Sequence, residues 1–395
     1  MTIRVGVDAT SWTNRRGFGR FTRNVVPRLI ARDTDAEYVL YLDEETSRTA
    51  LLPAGAKERL VPLTEAPSRA AAAGSRRSVR DLLRLTAAVR ADRLDAFLFT
   101  SVYTYFPVIG VPTVVGIHDT IVHDLPELTL ATRRDRIAWR AKEAFALRTA
   151  AGVFTVSEAS RRSLAERFGL SPARVRVVPE APDAIFGPRG PEAVAAARSV
   201  VGLAAGEGYV VYAGGVSPHK NVETLIDAYA RLRARRTDAP RLVVVGDLMT
   251  DTYLSSAESV RALVAELHLG DAVLLPGYVE DETLAALYTG AAAVVIPSLA
   301  EGFGLPAVEG AACGATMVLS DIPAHRETMD GAAYFFPPRD ADALATTLAT
   351  LLDENGRADE LAERGRRRAL ALGWEAAVEP LRELLRDAAG RRSAA

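Results

Sequence analysis

The feature that most constrains this chain is an alternation that runs through it twice. Apolar runs of strand length are each followed by a longer stretch with helical periodicity. Such short apolar runs suit the interior of a parallel sheet, where both faces are covered and each strand-to-strand connection needs a crossover. In the first half the runs are Ile3–Val7, Tyr38–Leu42, Ala96–Phe99, Thr113–Ile117, Gly152–Val156 and Val175–Val178. Helical stretches lie between them at Phe18–Ala31, Val79–Ala91, Leu130–Thr149 and Ser157–Phe168. The series restarts with Tyr209–Ala213, Arg241–Val245, Val273–Leu275, Ala293–Ile296 and Met317–Leu319. Its helices are Asn221–Arg236, Ala257–Leu267, Glu282–Ala291 and Pro306–Ala312. The expected fold class is therefore α/β, with two Rossmann-like, doubly wound parallel-sheet domains.

Length agrees, because 395 residues exceed one ordinary core. The join falls near Glu180–Pro191, where Pro182, Gly187, Pro188, Gly190 and Pro191 exclude a continuous helix. Expected domains are residues 1–185 and 186–375. A last amphipathic helix at 376–390 packs either on the second domain or back on the first, and Arg391 and Arg392 are expected to fray.

Charge narrows the function classes. Lys and Arg total 48 against 50 Asp and Glu, without the basic excess of a nucleic-acid binder. The single cysteine, Cys313, excludes an internal disulfide and a Cys-based zinc site. The opening residues read as a strand rather than a cleavable signal, and no apolar run reaches the roughly 18–20 residues that span a bilayer. The expected location is cytoplasmic, and the Ala- and Arg-rich composition is that of a GC-rich bacterial source. Arg76, Arg77, Arg80, Arg84, Arg90 and Arg93, interleaved with Leu82, Leu83 and Leu85, read two ways. They form either a basic amphipathic face for peripheral contact with the inner membrane surface, or a solvated helix covering a sheet.

The chemistry-bearing stretches follow strands, at the edge of a parallel sheet where ligands bind. After Ala293–Ile296 comes Ser298-Leu-Ala-Glu-Gly-Phe-Gly-Leu-Pro-Ala-Val-Glu-Gly310. Gly302 and Gly304 permit close backbone approach with free N–H groups, and Glu301 and Glu309 suit vicinal hydroxyls. After Tyr209–Ala213 comes a glycine-rich turn ending in Pro218-His-Lys-Asn221, a cradle for a diphosphate with Lys220 as the cation and Asn221 at the helix start. After Ile3–Val7, a loop holding Gly17, Gly19 and Arg20 leads into a helix. His118 ends the run Val111–Thr120, also at a strand's functional edge, with Asp119 beside it. His123, His219 and His325 are further neighbours of the expected crevice, while His268 reads as a helix end.

The spacing from Glu301 to Glu309, in the wording EGFGLPAVEGAACG, resembles the E-x7-E motif of the retaining GT-B glycosyltransferases of family GT4. Ile117-His-Asp119, the Gly17-x-Gly19-Arg20 loop and Phe154-Thr-Val-Ser157 extend the resemblance from Arg4 to about Trp374. It implies a GT-B fold with the two domains facing an interdomain cleft, an acceptor-binding first domain and a nucleotide-sugar-binding second one. Glu301 and the amides of Gly302, Phe303, Gly304 and Leu305 would hold the transferred sugar, and Glu309 the ribose. His118 would orient that sugar, and Lys220 with Asn221 would meet the diphosphate, faced by Gly17, Gly19 and Arg20. Attack from the leaving-group face would retain configuration, with no metal and no cofactor beyond the nucleotide diphosphate sugar. The donor would be GDP-mannose or a UDP- or dTDP-hexose, and the acceptor a sugar, natural product or lipid-linked molecule. Acceptor choice is expected in Ala66–Ser78 and Val102–Gly110.

One position departs from that pattern. Gly215 stands where many members carry an arginine, so one phosphate contact is missing. This keeps open an inactive or repurposed nucleotide-sugar-binding protein, or a pseudo-glycosyltransferase coupling a cyclitol. A dinucleotide-dependent dehydrogenase is disfavoured, since no G-x-G-x-x-G follows Ile3–Val7 or Tyr209–Ala213.

Overall fold

Each of the two parallel sheets reverses its strand order once, and those reversals position everything that follows. The computed structural model describes residues 2–64, 78–246 and 254–393. The chain divides into two compact units, one of Met1–Pro126, Leu130–Glu180 and Gly373–Ala395, the other of Glu127–Thr129 and Ala181–Leu372.

In the first unit the strands are β1 (Ile3–Asp8), β2 (Ala36–Leu42), β3 (Lys57–Leu60), β4 (Ala96–Phe99), β5 (Thr113–Gly116), β6 (Gly152–Thr155) and β7 (Val175–Val177). Their spatial order is β3-β2-β1-β4-β5-β6-β7, and every neighbouring pair is parallel. In the second unit β8 (Tyr209–Ala213), β9 (Arg241–Val245), β10 (Val273–Gly277), β11 (Ala293–Ile296), β12 (Met317–Ser320) and β13 (Tyr334–Phe336) are ordered β10-β9-β8-β11-β12-β13, again all parallel. Both are doubly wound sheets, as the double alternation requires. The loops after β1 and β4 leave in opposite directions, and so do those after β8 and β11. Each divergence opens a crevice at the carboxyl ends of the strands.

Central strands match the apolar runs because both their faces are buried. All four residues of β4, β11 and β12 are buried, and so are all five of β8. The two strands that the pattern does not reveal, β3 and β13, are both sheet edges. β3 reads Lys-Glu-Arg-Leu and is exposed throughout, the charged composition that keeps an edge from pairing with another chain. β13 has only three residues.

The helix Val378–Ser393 packs on the first unit, against the helix Gly17–Arg32 and strands β4, β5 and β6. Leu381 and Leu385 are fully buried there. Arg386 donates to the buried Asp33 at 2.7 Å, and Asp33 also accepts from the Tyr38 hydroxyl at 3.0 Å. Arg391 and Arg392 are helical rather than frayed, and Arg392 lies 3.7 Å from Asp95. Of the expected acceptor loops, residues 65–77, with Arg76 and Arg77, lie outside the described residues. Val102–Gly110 contains a 3-10 turn at Val102–Thr104.

Candidate active site

At the second switch point, the loops after β8 and β11 are stitched together by their own polar groups. Pro218–Lys220 forms a single 3-10 turn, and Asn221 adopts a left-handed conformation (φ 60°) before the helix Val222–Arg235. Asparagine tolerates that conformation better than most residues. Its side chain does not cap the helix backbone. Nδ2 instead donates to the Pro297 carbonyl at 3.0 Å, and Oδ1 accepts from Thr224 at 2.7 Å. The Leu299 amide donates to the His219 carbonyl at 2.8 Å. Two strands adjacent in the sheet thus deliver two loops in fixed register.

That register brings Lys220 and Glu301 together although they are 81 residues apart in sequence. Lys220 Nζ donates to Glu301 Oε1 at 2.7 Å, and Ser298 Oγ donates to the same oxygen at 2.7 Å. The side chains are only 19% and 9% exposed. Burial pushes the Glu301 carboxyl up, but the Lys220 charge and the hydrogen bonds from Lys220 and Ser298 outweigh it, holding the group below the usual carboxylate range. Expected from sequence to meet a ligand, the two side chains neutralise each other in the structure.

The turn beyond Glu301 is shaped by Gly304, which has φ 91° and begins the helix Leu305–Ala312. A Cβ there would lie 3.1 Å from His325 Cδ2, so the imidazole edge rests against the turn. Pro306 occupies the first turn of this helix, where its missing N–H costs nothing. Phe303 and Leu305 are buried beside the turn. Glu309, on the same helix, is also buried, at 4% exposure. Burial, and then the Glu309 charge, push the Cys313 thiol up to about 12, so the single cysteine stays a thiol. Gly215, where an arginine was expected, accepts a hydrogen bond from the Tyr212 hydroxyl at 2.5 Å through its carbonyl.

His325 was named from sequence only as a neighbour, and the structure gives it a more central place. It is completely buried on the helix Pro323–Met329, with Nδ1 2.9 Å from the Ser320 carbonyl. A carbonyl can only accept, so Nδ1 carries the proton and Nε2 is a bare acceptor with no hydrogen-bond partner among the described residues. Ser320 Oγ donates to the Ser298 carbonyl at 2.5 Å, tying the loop after β12 to the loop that holds Glu301. Neither serine had a recognisable signal in the sequence.

The switch point of the first unit carries different chemistry. Gly17, Gly19 and Arg20 open the helix Gly17–Arg32, and a Cβ on Gly19 would stand 2.0 Å from the Asn14 carbonyl oxygen, so only glycine fits. Arg23 pins the loop by donating to the carbonyls of Trp12 at 2.7 Å and Asn14 at 2.5 Å. Buried hydroxyls link Ser11, Thr22 and Thr100 at 3.1 and 2.8 Å. His118 Nε2 lies 2.8 Å from the Thr100 carbonyl and therefore donates to it, leaving Nδ1 as an acceptor 4.0 Å from the buried Glu180. Burial pushes this imidazole down to about 4, against the opposing pull of the Thr100 carbonyl, so His118 is neutral at neutral pH. Asp119 accepts from the Ile121 amide at 2.9 Å. His123 pairs with the buried Glu143 in this unit.

Comparisons with known proteins agree with this architecture. The model for Glycosyltransferase Family 4 matches residues 15–184, and that for Glycosyl transferases group 1 matches residues 195–368. A D-inositol 3-phosphate glycosyltransferase of Kineococcus radiotolerans is 32% identical over 252 residues, 60% of this chain and 57% of that protein. The chain thus spans a little over half the length of that relative. Among solved structures, a sucrose-phosphate synthase from Thermosynechococcus elongatus superposes with a TM-score of 0.76 at 21% identity, covering 100% of both chains. Anabaena HepE in complex with UDP and glucose superposes with a TM-score of 0.72 at 17% identity, covering 98% of this chain and 100% of that one.

The Lys220–Glu301 pair has a testable energetic signature. Lys220→Met strands a mostly buried carboxylate and should cost on the order of 2–4 kcal/mol in chemical denaturation. Adding Glu301→Gln to that variant should recover part of the loss, because the uncompensated charge is gone. Additive losses in the double variant would mean that the two side chains do not depend on each other.

Proposed function

We propose that this chain, whose two halves match the models for Glycosyltransferase Family 4 and Glycosyl transferases group 1, moves a hexosyl group from a nucleotide diphosphate sugar to an acceptor hydroxyl, with donor binding assigned to the second unit. The observation that carries this reading is the Lys220–Glu301 pair at the β8/β11 switch point. A diphosphate brings a denser negative charge than one carboxylate, so it competes for the Lys220 ammonium. Glu301, relieved of that partner, becomes an acceptor for sugar hydroxyls. Lys220 and the N-terminus of the eight-residue helix Leu305–Ala312 then bear on the charge that develops on the leaving phosphate, which is electrostatic catalysis. Glu309 is assigned to the ribose and His118 to the transferred sugar, both on the strength of the motif resemblance. A neutral His118 can exchange hydrogen bonds with a sugar without adding charge. Retention of configuration, with the leaving phosphate assisting deprotonation of the acceptor, belongs to the same reading.

Support for the donor class comes from two sides. The HepE structure holds UDP and glucose, and matched relatives include a mannosyltransferase of Mycolicibacterium hassiacum. A UDP-hexose and GDP-mannose are therefore the first donors to test. Thermal unfolding with UDP, GDP, dTDP and ADP should single out one base. At 100 times the dissociation constant it would add about 2.7 kcal/mol of stability. Lys220→Ala should weaken that response, and Glu309→Ala should abolish it. A wild-type protein that responds to none of the four nucleotides removes the basis of the donor assignment.

A second observation favours a lipid-linked acceptor presented at an anionic bilayer. On the helix Arg133–Thr149, the exposed positions include Arg133, Arg134, Arg140 and Arg148 together with Ile137 and Phe145 (68% and 47% exposed), and no acidic residue. Contacts of Tyr105 with Phe145 and Thr149 join this helix to the Val102–Gly110 loop. The Thr86 hydroxyl, 2.8 Å from the Pro107 carbonyl, joins the loop to the helix Val79–Ala91. Exposed Val79, Leu83 and Ile109 extend the same layer, along with Arg80 and Arg90. Interleaved arginine and protruding apolar side chains suit the headgroup region of an anionic membrane. Among the described residues, no helix is long and apolar enough to cross one. The protein should co-sediment with phosphatidylglycerol-containing vesicles and not with phosphatidylcholine alone. Paired Ile137→Asp and Phe145→Asp substitutions should cut the bound fraction severalfold, and equal binding to both vesicle types would contradict this surface.

A further inference from the structure

We propose that His325 is the reserve counter-cation of Glu301, taking up one proton at Nε2 when a bound diphosphate draws the Lys220 ammonium away. The inference rests on the donor-site reading above and assigns that site a protonic step.

Three features of the geometry converge on it. First, His325 is completely buried, and its Nδ1–H is fixed on the Ser320 carbonyl at 2.9 Å, which leaves Nε2 as the only titrating position. Second, Nε2 has no hydrogen-bond partner among the described residues, a costly arrangement for a buried acceptor unless its use is conditional. Third, the ring is aimed at the Glu301–Gly304 turn, because a Cβ on Gly304 would lie 3.1 Å from Cδ2 and 3.5 Å from Nε2. Ser320, which orients the ring, also holds the Ser298 carbonyl at 2.5 Å, and Ser298 donates to Glu301. Ring and carboxylate are thus braced by one short hydrogen-bonded chain.

Electrostatics supply the trigger. Burial is the strongest influence on His325 and holds its pKa below the usual imidazole range; the Glu301 charge pulls it up, and the Lys220 charge pushes it back down. The other charges on the surrounding elements are committed elsewhere or buried. Arg368, from the helix Asn355–Ala371, donates to the carbonyls of Glu327, Thr328 and Asp330. On the exposed side of its own helix, Arg326 pairs with Asp321 and Asp330. Glu309, on the helix Leu305–Ala312, is buried and shares the Cys313 environment. When a diphosphate takes over Lys220, one of the two influences that lower the His325 pKa is neutralised; burial remains, and the Glu301 charge and the Ser320 carbonyl still raise it. Glu301 then stands as a buried carboxylate short of one cation. One proton from solvent, bound at Nε2, converts imidazole to imidazolium and restores the balance, with no other bond made or broken. His325 is a positioning residue in this scheme, since it acts on the sugar through Glu301.

The test is calorimetric titration of the full chain with UDP-, GDP-, dTDP- and ADP-hexoses, whose diphosphodiesters do not titrate near neutral pH. Each titration is repeated in buffers of different ionisation enthalpy. The expected result is uptake approaching one proton per donor bound, with affinity falling as pH rises through the window between the free and bound His325 pKa values. His325→Asn keeps a donor for the Ser320 carbonyl and removes the titrating nitrogen, so it should still bind donor but without proton uptake or the pH slope. Glu301→Gln, with His325 intact, should also lose the uptake. Wild-type binding with no dependence on buffer overturns this inference and leaves the donor site standing, as does uptake that persists in His325→Asn. Failure of wild type to bind any of the four donors overturns both.

Discussion

The ion pair between Lys220 and Glu301 is the constraint from which the rest of the second unit can be understood. Two opposite charges, mostly removed from water, are worth holding only if their geometry is fixed and their remaining hydrogen bonds are met. The sheet meets the first condition by reversing its order between β8 and β11, so that neighbouring strands deliver Lys220 and Glu301 from separate loops. Asn221 and Leu299 meet it again by bonding one loop to the other. Ser298 supplies the second hydrogen bond to Glu301, Ser320 steadies Ser298, and the same serine's carbonyl orients His325. A chain of this kind is stable as it stands and is also poised, because a stronger anion than a carboxylate can compete for the lysine.

The first unit repeats the topology and not the chemistry. Around its switch point lie the linked hydroxyls of Ser11, Thr22 and Thr100, a His118 whose pKa is pressed down to about 4 by burial, and the charged side chains of Arg23 and Glu180. The same reversal of strand order therefore supports a buried ion pair in one unit and a cluster of hydroxyls and an imidazole in the other.

Legibility from sequence followed the physics of burial. The central strands β4, β8, β9 and β11 have the boundaries of the apolar runs, because a strand covered on both faces must be apolar throughout. β3, with Lys57, Glu58 and Arg59, was hidden because an edge strand is free to be charged. The glycine-rich turns and Glu301 were readable because close backbone approach restricts residue type locally. The pairing of Lys220 with Glu301 was not, since it is created by strand order, which no local pattern encodes. His325 was underrated for the same reason: its significance lies in an unpartnered nitrogen against Gly304, a tertiary fact. The fraying expected of Arg391 and Arg392 gave way to a helix seated on the first unit, where buried Leu381 and Leu385 outweigh the tendency of termini to loosen.

The central claim is that Lys220 and Glu301 together hold a nucleotide diphosphate sugar. A crystal structure of the full chain with a bound nucleotide diphosphate sugar tests it most directly. The account predicts the diphosphate on Lys220, with its ammonium drawn off Glu301, and the hexose against the Glu301–Gly304 turn. A donor bound elsewhere, or bound with the Lys220–Glu301 contact intact, would contradict it.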